Sequence, residues 1–261
     1  MIVACPNCCA KLQNNEAVAD QVVNCPNCSR QLRMPALVVA GGDERPSPIY
    51  FPEIFEVQSV EQAMAVIVTP ETGITTEERW ERETAYLIGD IGTFLAIGPH
   101  SCVLDYGCGI GRIAKPLIET FGCRVVGVDT SQSMRQLAPQ YVQSDRFVAW
   151  SPEVFDDMIR QGFQADFGVC LWVLQHVMDA RGVIKRIAGA LRPEGLLYAM
   201  NQLRRCVPTD QGWCDDGDDV PAALRSVFSE ENVHPLPAEA ITADLGSRTR
   251  IQVLRKRATA S

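Results

Sequence analysis

The 261-residue sequence has no apolar run near the ~18 residues that a membrane-spanning helix requires. Its first residues, Met1-Ile2-Val3-Ala4-Cys5, carry neither a basic cluster nor a long apolar stretch, so nothing directs the chain to export. Positive charge is also short: 24 Lys and Arg stand against 32 Asp and Glu, a net charge of −8. Residues 1–42 hold Lys11, Arg30 and Arg33 against Glu16 and Asp20, net +1, which leaves −9 on the remainder. An acidic body of this kind argues against broad electrostatic binding of nucleic acid. Exposed oxidised sulfur is not the pattern either. Of eleven cysteines, Cys102, Cys108, Cys123 and Cys170 sit in or beside apolar stretches, which suits a reducing compartment, and a cytoplasmic protein is expected.

At 46% hydrophobic and 21% charged residues, the chain can bury at least one substantial core. The N-terminus holds an internal duplication. Cys5-Pro6-Asn7-Cys8 with Leu12 returns as Cys25-Pro26-Asn27-Cys28 with Leu32, and sixteen residues separate Cys8 from Cys25. Two Cys-x-x-Cys turns at that distance can close on one tetrahedral zinc. Around forty residues bury too little apolar surface to offset their chain entropy, so metal would supply the missing stability. Four thiolates fill every position and leave none for water or substrate, which makes the expected metal structural; Cys9 is a bystander. Residues 3–38 resemble the zinc-ribbon family, with Val22-Val23 and Leu32-Arg33-Met34 as strand material. The expected division is a zinc ribbon over 1–40, a linker over 41–52 rich in Gly, Pro and charge, and a large domain over 53–261.

The large domain alternates helical periodicity with short apolar strands, the pattern of an α/β sheet. Thr75 and Glu78 are spaced as a capping box, and Trp80, Thr84, Leu87, Ile88, Ile91 and Leu95 follow at helical spacing. A strand, Ser101 to Asp105, then runs into Tyr106-Gly107-Cys108-Gly109-Ile110-Gly111 and a helix from Ile113 to Phe121. Glycines at such a bend let a ligand approach the backbone at the carboxyl end of the strand. A second strand, Arg124 to Asp129, ends in an acid about twenty residues beyond the glycines, where a carboxylate accepts ribose hydroxyl protons. A dinucleotide site would place its third glycine at position 112, and that residue is Arg112. The motif is instead Asp-x-Gly-x-Gly-x-Gly, which sets Asp105 beside the loop and favours a ligand with a cationic group.

Four stretches in order resemble class I S-adenosylmethionine (SAM)-dependent methyltransferases: Val103 to Gly111, Val126 to Ser131, Ala165 to Val177, and Leu191-Arg192-Pro193-Glu194-Gly195. The resemblance implies a Rossmann-like seven-stranded sheet with helices on both faces. It also implies that Asp105, Gly107, Cys108, Gly109 and Gly111 surround the methionine part of the cofactor. By the same resemblance Asp105 helps place the ammonium, directly or through water, with the Leu171 backbone; Asp129 holds the ribose, Thr130 next to it is cofactor-binding, and Met134 and Trp150 serve the adenine. Leu191 to Gly195 forms the turn before the fifth strand, and Arg250 to Leu254 completes the sheet. Trp172 and His176 are the catalytic candidates, with Tyr86 and Asp179 behind His176 as bases; each of these residue types is equally at home as core or as a cap.

The expected function is therefore methyl transfer from SAM to an acceptor that the sequence does not identify, a small molecule or a protein being favoured over bulk RNA. The ribbon would contact protein or nucleic acid, and no membrane is involved. The alternatives are a non-catalytic zinc-ribbon adaptor with a degenerate methyltransferase domain, an RNA methyltransferase using Arg248, Arg255, Lys256 and Arg257, and a nicotinamide oxidoreductase, which Arg112 disfavours. The acidic run Asp215 to Asp219 lacks the spacing of a calcium loop, and Asp219 is spaced as a helix cap.

Overall fold

The computed structural model describes residues 2–4, 11–13, 21–33 and 48–257. At the N-terminus, β1 (Ile2–Ala4) pairs with β2 (Lys11–Gln13), and β3 (Val22–Asn24) pairs with β4 (Gln31–Arg33), both antiparallel. The turn of the second hairpin carries Cys25, buried, and Cys28, half-buried. It is closed by Cys25 N–H to Arg30 O and Ser29 N–H to Cys25 O, both 2.8 Å. Cys5, Cys8, Met34 and most of the expected linker lie outside the described residues. Among the described residues no group of three metal-ligating side chains assembles. Residues 48–52, at the end of the expected linker, are pinned: Tyr50 bridges Thr209, and Phe51 N–H donates to Pro208 O at 3.0 Å.

Two helices precede the sheet, α1 (Val60–Ile67) and α2 (Thr76–Phe94). The capping box at Thr75 forms, with Thr75 N–H to Glu78 Oε2 at 2.9 Å and Glu78 N–H to Thr75 Oγ1 at 3.2 Å. Strands and helices then alternate: β5 (Cys102–Tyr106), α3 (Ala114–Phe121), β6 (Arg124–Val128), α4 (Gln132–Val142), β7 (Phe147–Trp150), α5 (Pro152–Arg160), β8 (Ala165–Leu171), α6 (Ala180–Ala190) and β9 (Leu191–Gln202). Ser131, Ser151, Asp179 and Asp219 each cap a helix by accepting from the amide three residues on. A hairpin, β10 (Val207–Thr209) and β11 (Gly212–Cys214), leads to α7 (Val220–Val227), β12 (Phe228–His234), α8 (Ala243–Ser247) and β13 (Thr249–Lys256). Strand β1 lies against β11.

The main sheet has seven strands in the order β12-β13-β9-β8-β5-β6-β7, as the resemblance implies. Strands β9, β8, β5, β6 and β7 are parallel, and β13 and β12 are antiparallel to their neighbours. Successive residues of each strand feed opposite faces. Val103, Val125 and Val169 pack with helices α2 and α3 through Leu87, Ile91, Leu117 and their neighbours, whereas Leu104, Val128 and Cys170 meet α5, α6 and α7. No helix among the described residues is long and apolar enough to cross a membrane.

Two expectations change. The C-terminal strand is not an edge: β12, whose residues show no regular apolar alternation, covers β13 and takes the margin. The basic residues around β13 are engaged accordingly: Arg255 donates to Glu231 at 2.9 Å, Lys256 to Leu191 O at 2.5 Å, and Arg257 to Arg225 O at 2.9 Å. Secondly, Leu191 to Gly195 belongs to β9 itself. Leu191 pairs with Ala165 and Leu196 with Phe167, so Arg192 to Gly195 bulge out of register, with Glu194 at φ 61°.

Arg112, which stands where a dinucleotide site has glycine, is buried. Its Nη1 meets Glu83 Oε1 at 3.1 Å, its Nε donates to Thr84 Oγ1 at 2.8 Å, and its guanidinium lies 5.2 Å from the Trp80 ring centre. Glu83, with no exposed side-chain surface, also accepts from Arg79 Nε at 2.8 Å and from Trp172 Nε1 at 2.7 Å. Burial would raise its carboxyl, but Arg112 and Arg79 outweigh burial and hold it down from 4.5 to about 2. Its contribution to stability is present above the ordinary carboxylate value and is lost as pH falls from about 4.5 toward about 2. We expect Glu83→Ala to destabilise the fold by roughly 3–5 kcal/mol, because buried Arg112 loses its counter-charge and Arg79 keeps only that of Glu71, at 3.9 Å. Urea denaturation at pH 7 checks this, and a loss under about 1 kcal/mol, the scale of a surface ion pair, would show that the cluster is dispensable.

Candidate functional site

The parallel strands diverge in connection direction at β5, whose neighbours are β6 on one side and β8 on the other. Ligands of open α/β sheets bind at such a point, beyond the carboxyl ends of the strands. A cavity of about 310 Å³ lies there. Its floor is Gly107, Gly109 and the ends of β6 and β8; Tyr50, Phe55, Val66 and Ile67 cover it.

The glycine bend is forced by close approach. Gly107 has φ +80°, and a Cβ on it would lie 2.0 Å from Val173 Cγ2. Gly109 has φ +54°, and its Cβ would lie 2.6 Å from Ile67 Cδ1. Both are positions where any side chain would be strained and would collide. Asp129 reaches the same loop: Oδ2 accepts from Gly109 N–H at 2.8 Å and Oδ1 from Ser131 N–H at 2.9 Å. Each oxygen keeps acceptor capacity beyond these bonds, and Asp129 lines the cavity. Burial raises its carboxyl, and the amides of Ser131 and Gly109 oppose that shift.

Asp105 lies beneath the loop and is not among the residues that line the cavity. It is 3% exposed, and its Oδ2 has no hydrogen-bond partner. Burial first, and then the charge of Asp129, push its carboxyl from 3.8 up to about 7. A buried carboxylate without a partner is costly, and a cation supplied by a ligand removes the cost. These two acids, together with a loop that leaves no room for side chains, fit a ligand bearing a cationic group and a ribose.

The other sequence-derived residues divide by position. Thr130, Met134, Leu171, Trp172 and His176 line the cavity with Gly107, Gly109 and Asp129. Cys108 and Gly111 do not: Cys108 is buried behind the loop against Gly127, and Gly111 faces Val142. Trp150 also stands outside the lining, its ring 5.1 Å from that of Phe163 in an edge contact. Tyr86 packs against the core behind the sheet, and burial, followed by Asp90, raises its hydroxyl to about 12. Asp179 lines the cavity but spends Oδ1 on capping α6.

Trp172 has φ 63°, a strained conformation for a side-chain-bearing residue. It is held by its N–H to Met200 O at 2.7 Å and by the indole bond to Glu83. His176 follows in the same loop. Its Nδ1 is 2.7 Å from Cys206 O, a partner that can only accept, so the proton sits on Nδ1, and Nε2 faces the Gln175 amide at 3.1 Å. Burial pushes the imidazole down to about 4. His176 is thus neutral at pH 7, weakly basic, and a wall of the cavity rather than an available base.

Sequence reasoning did not find the clamp on this loop. Arg205, fully buried, donates to the carbonyls of Leu174, Val177 and Met178, and meets Asp216 bidentately at 3.0 and 2.8 Å. The lid residues Tyr50, Phe55 and Ile67 were also missed, because they belong to a stretch with no motif of its own.

Residues 104–199 match the family described as the methyltransferase domain. Among curated proteins, the ubiquinone biosynthesis O-methyltransferase of Coxiella burnetii is 29% identical over 102 residues, 39% of this chain and 42% of that protein. The protein of that name from Bradyrhizobium diazoefficiens is 33% identical over 95 residues, 36% of this chain and 37% of that one. The matches thus span only about two-fifths of these relatives' length. Among solved structures, a putative sarcosine dimethylglycine methyltransferase from Galdieria sulphuraria superposes with TM-score 0.55 at 13% identity, covering 71% of this chain and 89% of that one. Geranyl diphosphate methyltransferase in complex with SAM gives 0.51 at 15%, covering 69% and 86%. The [4+2]-cyclase SpnF also gives 0.51 at 15%, covering 66% and 80%, so the likeness to solved structures speaks for the fold alone.

Gly107→Ala should destabilise the chain by roughly 1–3 kcal/mol, combining left-handed strain with the clash on Val173. Gly73→Ala is the comparison, since Gly73 has φ +87° but nothing within 4 Å of its added Cβ. A denaturant midpoint equal for the two variants would remove the steric part of the argument.

Proposed function

We propose that the chain is a SAM-dependent methyltransferase, and the observation that carries this reading is the pair of acids flanking the glycine bend. Asp129 accepts the ribose hydroxyls while anchoring the loop through Gly109. Asp105 lacks a partner on one buried oxygen and supplies the counter-charge for an ammonium, directly or through water. The backbones of Gly107, Cys108, Gly109 and Gly111 shape the bed beneath the methionine part. Met134 packs against the adenine, Thr130 stands beside the ribose, and the Leu171 carbonyl at the end of β8 lies toward the ammonium. Trp150, outside the cavity lining, has no part in this scheme. When bound, SAM supplies a methyl group already activated on a sulfonium. The chain's work is then alignment and exclusion of water, with Trp172 and the His176 loop forming the wall through which an acceptor meets the methyl. The matched methyltransferase family and relatives support the donor.

The N-terminal cysteines support a second element of the same reading. Cys25 and Cys28 bracket a closed hairpin turn as a Cys-x-x-Cys pair, and Cys5 and Cys8 repeat that spacing. We read the four as a structural zinc site, and the ribbon as a contact surface for the acceptor or a partner macromolecule. Purified full-length protein should carry about one zinc per chain by atomic absorption, and Cys25→Ser should lose most of it. Metal-free wild-type protein prepared under reducing conditions would end the zinc reading and leave the transferase reading intact.

Binding of the demethylated product S-adenosylhomocysteine, which keeps the ammonium and the ribose, tests the donor site. Burial and Asp129 push the Asp105 carboxyl up to about 7, and it must be ionised to pair with the ammonium, so binding releases a proton. Affinity measured by calorimetry should therefore rise with pH, by up to about tenfold per unit, until pH passes about 7, and then level off. Asp105→Asn should bind more weakly and flatten this dependence. Saturable binding that is insensitive to pH between 5.5 and 7.5 would refute the role of Asp105, and no binding at all would refute the donor assignment.

A further inference from the structure

A second, smaller cavity of about 110 Å³ adjoins the first, and Phe55, Val66, Ile67, Trp172 and His176 line both. Its character differs. Phe55, His176 and Trp213 face one another with ring centres 5.5 to 6.3 Å apart, and Trp172 closes another side. His176, kept neutral by burial against the opposing effect of its bond to Cys206 O, adds a flat face and no charge. At about 110 Å³ the space alone is smaller than the roughly 150 Å³ that holds a benzene ring, so a single ring fits only by extending toward the first chamber, with which it shares five lining residues.

Its polar lining comprises Arg30, Thr69, Arg79 and Gln202 beside His176, Gln175 and Glu71. Gln175 is committed, its Nε2 to His176 and its Oε1 to Gln202 N–H at 2.6 Å. Glu71 is not. Its backbone is fixed in a tight turn by two bonds with Ile74, 3.3 and 3.1 Å, and its side chain is only 5% exposed. Glu71 Oε1 is buried without a hydrogen-bond partner, the Arg79 guanidinium standing 3.9 Å away, beyond hydrogen-bonding reach. An orphaned acceptor in an aromatic chamber calls for a donor from a ligand.

Resting on the transferase reading above, we propose that this chamber is the acceptor subsite. Glu71 is its specificity group, accepting a hydrogen bond from the hydroxyl of a neutral, single-ring aromatic acceptor. The charge of the surroundings selects the class. Arg79 and Arg30 line the chamber and oppose an ammonium, while Glu71 itself opposes a carboxylate. A hydroxyl satisfies the oxygen without adding charge to a desolvated space, and the ring packs on Trp172, Trp213 and Phe55.

The test is calorimetric titration of phenol, toluene and benzylamine into full-length protein saturated with S-adenosylhomocysteine at pH 8. Wild type should prefer phenol over toluene and over benzylamine by roughly tenfold. Glu71→Met should abolish the preference over toluene while leaving S-adenosylhomocysteine affinity within about twofold; Glu71→Gln, which keeps a neutral acceptor oxygen, should fall between. Folding of each variant is read from that cofactor affinity. The proposal is overturned if phenol does not bind, if benzylamine binds more tightly, or if the phenol preference survives in Glu71→Met. Failure of S-adenosylhomocysteine to bind wild type would instead strike the donor reading, so the two failures are told apart.

Discussion

Glu83 meets two guanidinium groups and an indole N–H with no access to water, and this joins three segments that are far apart in sequence. Arg79 and Glu83 belong to α2, Arg112 to the end of the glycine bend, and Trp172 to the loop after β8. Loss of either arginine would leave Glu83 half-compensated in a site without water, and loss of both would leave a buried unpaired charge, several times more costly than a lost surface ion pair. The strained backbone of Trp172 persists for the same reason: the bonds around it over-determine its position. The wall between the two cavities is therefore built from an electrostatic constraint before any ligand arrives.

Two other carboxylates, Asp105 and Asp129, show how the environment divides roles between identical groups. Both are raised by burial, yet Asp129 is compensated by two backbone amides and stays suited to accepting hydrogen bonds. Asp105 has no such compensation on one oxygen, so its ionisation waits for a cation. With its carboxyl raised to about 7, Asp105 is partly protonated near neutral pH, which lowers the like-charge repulsion on Asp129.

The sheet and the donor loop were legible in the sequence because their signals are local. A strand running into glycines and a second strand ending in an acid are each contained in about ten residues, and Gly107 and Asp129 stand on the cavity as read. Caps at Thr75 and Asp219 were legible for the same reason. The edge strand β12 was not, since Phe228 to His234 carries polar residues along most of its exposed length. Nor were Arg205 and Asp216, whose partnership joins a hairpin to the carbonyls of Leu174, Val177 and Met178; nothing in the local sequence around Arg204-Arg205 predicts three backbone acceptors. Trp150 had the opposite fate: its place at a strand end suggested a ligand contact, but packing against Phe163 takes the ring away from the cavity.

The same division between local and assembled features separates what the likeness to known proteins informs from what it does not. Residues 104–199, which match the methyltransferase domain, contain the glycine bend, both flanking acids and Trp172. Phe55, Glu71 and Trp213, which give the smaller chamber its shape and its polarity, all lie outside that span. Residues 48–57 close over the cavity because Tyr50 and Phe51 pair with β10 and because Glu56 takes the amides of Gln132 and Ser133 at 2.8 and 2.9 Å. The N-terminal hairpin reaches the same place through Arg30, which lines the smaller chamber. If the smaller chamber takes the acceptor as proposed, its selectivity is an assembled property of the segments before and after the matched domain, and chains that agree closely around the glycine bend can differ there entirely.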